Sequence, residues 1–268
     1  MPTRHIALFL LVTFGWSWGF WSIPMLDHRG VHLSDTLIRL TRGGTPAAWG
    51  PLVGALVVAS VRGGFSGVWS LARRAGRLRI GWRWYAVVFL TFPVLVGGSA
   101  VIASLAGVPA FGGEVWTQPI AIPVAFFYIL LLGGPLQEEF GWRGTLLDPL
   151  QDRLGGLGAS LAVGAVWSLW HVPLFLFPND AAPYYGKPFW GLLVTLMSIS
   201  VLFTWVWNRT GRSITAVLVL HAMFNLSHWL FPALESDLAG LILFGAQFLA
   251  VGLVIARDGV SLGRRGEP

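Results

Sequence analysis

Few side chains in this sequence could do chemistry. They fall in three short stretches: Glu138-Glu139-Phe140-Gly141-Trp142-Arg143, Trp167-x-x-x-His171, and His221-x-x-x-Asn225. Neighbouring positions on a helix point about 100° apart, so the two glutamates cannot address one atom. Glu139 stands four residues before Arg143, the favourable order for an ion pair along a helix. That pairing leaves Glu138 to act as a base or a metal ligand; the bland alternative is that all three pair at a helix end. Trp167 lies one turn before His171 on the same face, and a lone histidine there is more often a hydrogen-bonded core residue than a catalytic one. His221 and Asn225 also share a face, and they supply what carbonyl hydrolysis needs besides a base. Each is a donor for a developing oxyanion, worth about 3 kcal/mol in known sites. Read singly, Asn225 and His228 are glue between helices, since His228 lies about 10 Å along the axis from His221.

The elements that must hold these groups are set by composition. Of the 268 residues, 55% are hydrophobic and 11% are charged, well under the roughly 25% charged of a soluble domain. Such a chain cannot cover a water-facing surface. Eight apolar runs can be drawn: Ile6 to Met25, Thr45 to Val61, Trp84 to Ala106, Pro119 to Leu136, Gly156 to Phe177, Phe189 to Trp207, Ile214 to Phe231 and Leu238 to Ala256. Each approaches the length of about 20 residues that crosses a hydrocarbon core. The expectation is an all-α, polytopic membrane bundle of about eight transmembrane helices, forming one domain over residues 1–268. The first run is too long for the core of a signal peptide, and no small-x-small cleavage site follows it, so it is read as a retained helix. Charged and imidazole groups inside a bilayer cost roughly 3 kcal/mol or more unless paired or hydrated, which singles out the three motifs as functional candidates.

Loop charges orient the bundle. Net charge is +6, from 17 arginines and one lysine against 12 acids. The arginines cluster between apolar runs, which speaks for membrane orientation, and no nucleic-acid module is visible. An N-terminus in the cytoplasm with Arg4 puts the Arg62–Arg83 loop, the segment after Glu138, the Arg209 and Arg212 turn, and the tail with Arg257, Arg264 and Arg265 on one side. Glu114, Asp180 with Lys187, and Glu235 with Asp237 fall on the other. The reading is a multi-pass protein of the bacterial cytoplasmic membrane with both termini cytoplasmic. The absence of cysteine excludes disulfides, thiolate catalysis and cysteine-based zinc sites.

Between Glu138 and Gly158 the pattern is neither apolar run nor plain loop. Trp142, Leu146, Leu147, Leu150 and Leu154 alternate with Arg143, Asp148, Asp152 and Arg153 at helical spacing, which predicts an amphipathic helix at the cytoplasmic face. These boundaries set Glu138 at a helix end, His221 about 12 Å along its helix and His171 more than about 20 Å along its own. For the three to converge, the fifth helix has to enter the membrane near Val163, and Pro173 is placed to bend it.

Taken together, the order and spacing resemble the CPBP family, the CAAX protease and bacteriocin-processing group, which includes the type II CAAX prenyl endopeptidases and bacterial immunity proteins. Its pattern is Glu-Glu-x-x-x-Arg, then Phe-x-x-x-His, then His-x-x-x-Asn, met here by Glu138, Glu139 and Arg143, by His171, and by His221 and Asn225. Arg143-Gly144, Leu154-Gly155 and Thr45-Pro46-Ala47-Ala48 also fit. The one departure is Trp167 in place of phenylalanine, which adds bulk and an N–H donor beside the substrate. The resemblance implies a catalytic core over about 119–231 and an intramembrane endopeptidase acting on a peptide or protein, membrane-bound or not.

In that scheme Glu138 activates water, His171 shares or orients it, His221 and Asn225 stabilise the oxyanion, and Glu139 with Arg143 supports Glu138. A zinc site of Glu138, His171 and His221 with an open fourth position is an equally open arrangement. Two other classes stay in view. A catalytically silent scaffold or immunity protein would keep the fold without needing every motif residue. A transporter would spread ionisable groups along a path or show two related halves, and no such halves are visible.

Overall fold

The computed structural model describes residues 1–42, 45–108, 116–178, 184–231 and 233–264. Glu114, Asp180 and Arg265 of the loop-charge reading lie outside them. All regular structure among the described residues is helical. The chain opens with α1 (Thr3–His28), α2 (Asp35–Arg42), α3 (Thr45–Ala48) and α4 (Gly50–Arg73). Next come α5 (Trp82–Phe92), a π-helical turn at Pro93–Gly97, α6 (Gly98–Leu105), α7 (Ala121–Leu132) and α8 (Pro135–Gly141). A second π-helical turn, Trp142–Leu147, leads into α9 (Asp148–Trp170), a 3-10 turn at Val172–Phe175, α10 (Phe189–Arg209), α11 (Ile214–Leu230) and α12 (Asp237–Asp258).

All eight apolar runs are helical, but they are not eight equal spans. Five helices are long and apolar enough to cross a membrane: Thr3–His28, Pro46–Arg73, Trp82–Leu105, Phe189–Arg209 and Asp237–Asp258. The fourth and fifth runs form a broken pair, Ala121–Leu132 with Pro135–Trp170, which makes a sixth if taken as one span. The seventh run is α11, shorter at 17 residues. The break in the pair has a local cause: Gly134 sits at φ 116°, a conformation side chains resist, and Pro135 follows it. The fifth run also ends earlier than Phe177. Its α-helix stops at Trp170, and Pro173 lies in the 3-10 turn beyond, where its missing N–H breaks no α-helical bond.

The chain divides into two compact units, residues 1–73 with 137–200, and residues 74–136 with 201–268. In the first, α1 packs along α4. Gly50 and Gly54 face Ser17 and Thr13 of α1 so closely that a Cβ at either would collide with those hydroxyls. Where lipid surrounds helices, burying apolar surface gives little drive for association, so such close backbone approach and polar contacts supply it. Ser17 Oγ donates to Ala47 O at 2.7 Å and Trp16 Nε1 to Pro46 O at 2.8 Å. Gly164 of α9 meets the backbone of α10 at Leu196 and Met197 in the same way.

The segment after the glutamates is a correction. Arg143, on the polar side of the expected surface helix, is fully buried, while Leu154 is exposed. The alternation marks a charged interior, made tolerable because Arg143 has a carboxylate to pair with. Gly155 at φ 70° divides α9 into two legs, and the second carries Gly156 to Trp170.

In the second unit α11 packs on α5 and α7, and α6 on α12. Ser213 caps α11 by accepting from Ala216 N at 3.2 Å, and its hydroxyl donates to Arg77 O at 2.7 Å. Arg77 also bonds Gly211 O, and Arg209 pairs with Asp258. The arginine-rich loop, the Arg209–Arg212 turn and the end of α12 thus gather at one end of this unit. Arg153 does the equivalent in the first, donating to Met1 O and Thr3 Oγ1 at 3.1 Å each.

Candidate functional site

Arg143 is placed by the π-helical turn that follows α8. Such turns carry one residue more than an α-helix needs and recur at functional sites. Arg143 and Glu139 are both fully buried. Arg143 Nη1 donates to both Glu139 oxygens at 2.9 and 3.1 Å, and Nη2 donates to Ser200 Oγ at 3.2 Å. The guanidinium carbon stands 4.7 Å from the ring centroid of Trp167, a cation–π distance. The ion pair the spacing predicts is present, with two further partners.

Glu138 is not the free carboxylate that the spacing predicts. It is buried, and its Oε2 accepts from Trp167 Nε1 at 2.5 Å and from Trp142 Nε1 at 3.2 Å. The two glutamates diverge as helical geometry requires, but they diverge to different kinds of partner. Glu139 faces a cation; Glu138 faces indole N–H groups that are neutral. Trp167 joins the two systems, its N–H on Glu138 and its ring against Arg143. Trp142 lies four residues after Glu138, the same relation as Glu139 to Arg143, so spacing could have found it. Ser200 carries no such signal.

His171 follows the last residue of α9. Its Nδ1 lies 2.9 Å from Trp167 O. A carbonyl only accepts, so Nδ1 is the protonated nitrogen in this bond and Nε2 is the acceptor nitrogen of the neutral ring. The imidazole meets Trp170 edge-on at 4.7 Å and Tyr184 at 6.0 Å. Tyr184 stacks on Phe175 with centroids 5.1 Å apart. Its hydroxyl is pushed up to about 12, first by the protein packed around it and then by the negative charge of Glu138, so it remains a proton donor. Nothing in the sequence marked Tyr184.

In the second unit His221 is buried, with Phe203 edge-on at 5.8 Å. Asn225 Nδ2 donates to Gly133 O at 2.9 Å, which uses one of its two N–H bonds. His228 Nδ1 bonds Phe224 O at 2.9 Å and packs on the Phe224 ring, as a core histidine would.

Zinc would call on Glu138, His171 and His221. Among the described residues no three His, Cys, Asp or Glu side chains lie together as a metal-binding group, and the carboxylate oxygen Oε2 of Glu138 already takes two indole hydrogen bonds. The arrangement as it stands does not fit a three-ligand site.

Residues 120–227 match the family model described as "Type II CAAX prenyl endopeptidase Rce1-like". Every motif residue from Glu138 to Asn225 falls inside this segment, and His228 falls just outside. Through it the chain belongs to the CPBP family. A relative from Methanococcus maripaludis, "CAAX prenyl protease 2", is 30% identical over 186 residues, which cover 64% of this chain and 65% of that protein. The match thus spans a little under two thirds of the relative's length. Of the helices, α1 to α6 and α12 lie outside the CPBP segment, so the Gly50 and Gly54 packing is built by the rest of the chain.

Proposed function

We propose that this chain is an intramembrane endopeptidase in which Glu138 is the general base. The observation that carries the reading is the unlike treatment of two adjacent buried carboxylates. Glu139 is committed to a cation, whereas Glu138 is held by neutral N–H donors and keeps its charge for a proton. In the step this supports, Glu138 takes a proton from water as the water oxygen bonds to the peptide carbonyl carbon. The carbonyl electron pair moves to oxygen, and the proton passes to the departing amine as the C–N bond breaks. His171, with Nε2 as acceptor, orients the water. His221 and the second N–H of Asn225 receive the oxyanion. The family resemblance, rather than any distance, assigns the last two to the same substrate as Glu138.

The name of the relative suggests a CAAX prenyl substrate. A panel of CAAX peptides with and without the prenyl group, offered to the purified protein in liposomes, tests this. Glu138→Gln keeps the shape and one acceptor oxygen but removes the base. It should lose at least about 10² in cleavage rate with little change in melting temperature; an active Glu138→Gln protein would sink the mechanism. Metal analysis of the same preparation, with activity assayed after chelation, addresses zinc directly. The orientation reading, a cytoplasmic membrane with both termini inside, rests on the arginine loops. Reporter fusions at Lys187 and Gly263 should report opposite sides, and the same side for both would overturn it.

A further inference from the structure

At one end of α1, where it lies along α4, a cavity of about 570 Å³ is lined by Arg4, His5, Leu8, Val61 and Arg62. None of these residues belongs to the site above. Its lining is graded. Arg4 and His5 occupy the first turn of α1, and Leu8 stands one turn further on the same face; Val61 adjoins Arg62 on α4. Both guanidiniums are exposed, and the ion pairs of the described residues involve neither. Arg62 has only a 3.8 Å contact to the Met1 sulfur, and Arg4 has no side-chain hydrogen bond. His5 Nδ1 is buried without a partner. Arg153, bonded to Met1 O and Thr3 Oγ1, adds a further cation at this end. Outside the cavity the surface continues apolar, through Leu11 at 72% and Phe65 at 84% exposure.

Two unpaired guanidiniums with an imidazole form a donor set for a tetrahedral oxyanion, because arginine's planar fork matches two phosphate oxygens at once. The apolar wall beside them has no use for a free anion. It suits a ligand whose charge is tied to hydrocarbon. Both helices are membrane spans, so the cavity opens where such a ligand is abundant. We propose that this cavity binds the phosphate of an anionic phospholipid, with Arg4 and Arg62 on the phosphate oxygens and an acyl chain along Leu8 and Val61.

The test uses the full chain in neutral detergent, with phosphatidylglycerol, phosphatidylcholine or inorganic phosphate added. Lipid retention by native mass spectrometry and the melting temperature are the two readouts. Phosphatidylglycerol should be retained and should raise the melting temperature; phosphatidylcholine and inorganic phosphate should do neither. The double variant Arg4→Gln/Arg62→Gln should weaken phosphatidylglycerol binding about 30-fold, while Arg29→Gln/Arg39→Gln, two exposed arginines elsewhere, should leave it unchanged. Equal retention of both lipids by the wild type overturns the proposal without needing a variant. So does equal weakening by the two double variants, or stabilisation by inorganic phosphate alone. If the Gln pair does not fold, Arg4→Lys/Arg62→Lys keeps the charge and loses the fork, and unweakened binding in that protein overturns the two-pronged contact.

Discussion

The polar groups around α8 and α9 and those around α11 are held by opposite means. In the first region the groups are charged, fully buried and satisfied mainly by side chains: Glu139 by Arg143, Arg143 by Ser200 and the Trp167 ring, Glu138 by two indoles. In the second they are neutral. His221 rests against a phenylalanine ring, and Asn225 bonds a backbone carbonyl. A buried charge deprived of its partner is costly, whereas a neutral amide that loses one hydrogen bond is not. Variants in the first region should therefore strike stability and activity together, and variants in the second should strike activity alone.

Arg143→Ala gives the largest expected effect. It leaves Glu139 buried and unpaired, which costs around 3 to 5 kcal/mol. Folded yield and thermal stability in detergent should both fall, and an unchanged melting temperature would remove the structural role of the pair. Next comes Asn225→Ala, which should slow cleavage by about 10² to 10³. Its stability loss should stay near 1 kcal/mol, the worth of the bond to Gly133. A stability loss as large as that of Arg143→Ala would erase the distinction between the regions. The smallest effect belongs to Trp167→Phe, which installs the residue the family pattern has. The ring remains against Arg143 while Glu138 loses an N–H, so a loss of about 1.5 to 3 kcal/mol is expected. Chemical denaturation would show it, with the Trp142 bond cushioning the change. No loss at all would mean that Trp142 suffices to hold Glu138.

How much of this was legible depended on the range of the interaction. The Glu139–Arg143 pair could be read because both ends lie on one helical turn. Each apolar run could be read as a helix because length and hydropathy are properties of the run alone. The bond from Trp167 to Glu138 spans 29 residues; sequence could show that Trp167 adds an N–H, but not where the N–H goes. The surface helix expected after Glu138 failed for a related reason. Alternating charge has the same pattern whether the charged face meets water or a buried partner, and only the partner's position decides. The stop at Trp170 was half legible: Pro173 announced a disturbance, but the turn that absorbs it was not written in any one residue.

The π-helical turn at Trp142–Leu147 makes chain length itself a variable of the centre. One residue removed there would restore ordinary α-helical winding and swing everything downstream by about 100° about the axis. Trp167 would then leave Glu138, although the letters of all three motifs would be unchanged. Two such sequences would align almost perfectly yet differ in phase, so a single gap between Arg143 and Trp167 would tell more about whether a homologue preserves this arrangement than any substitution in the motifs.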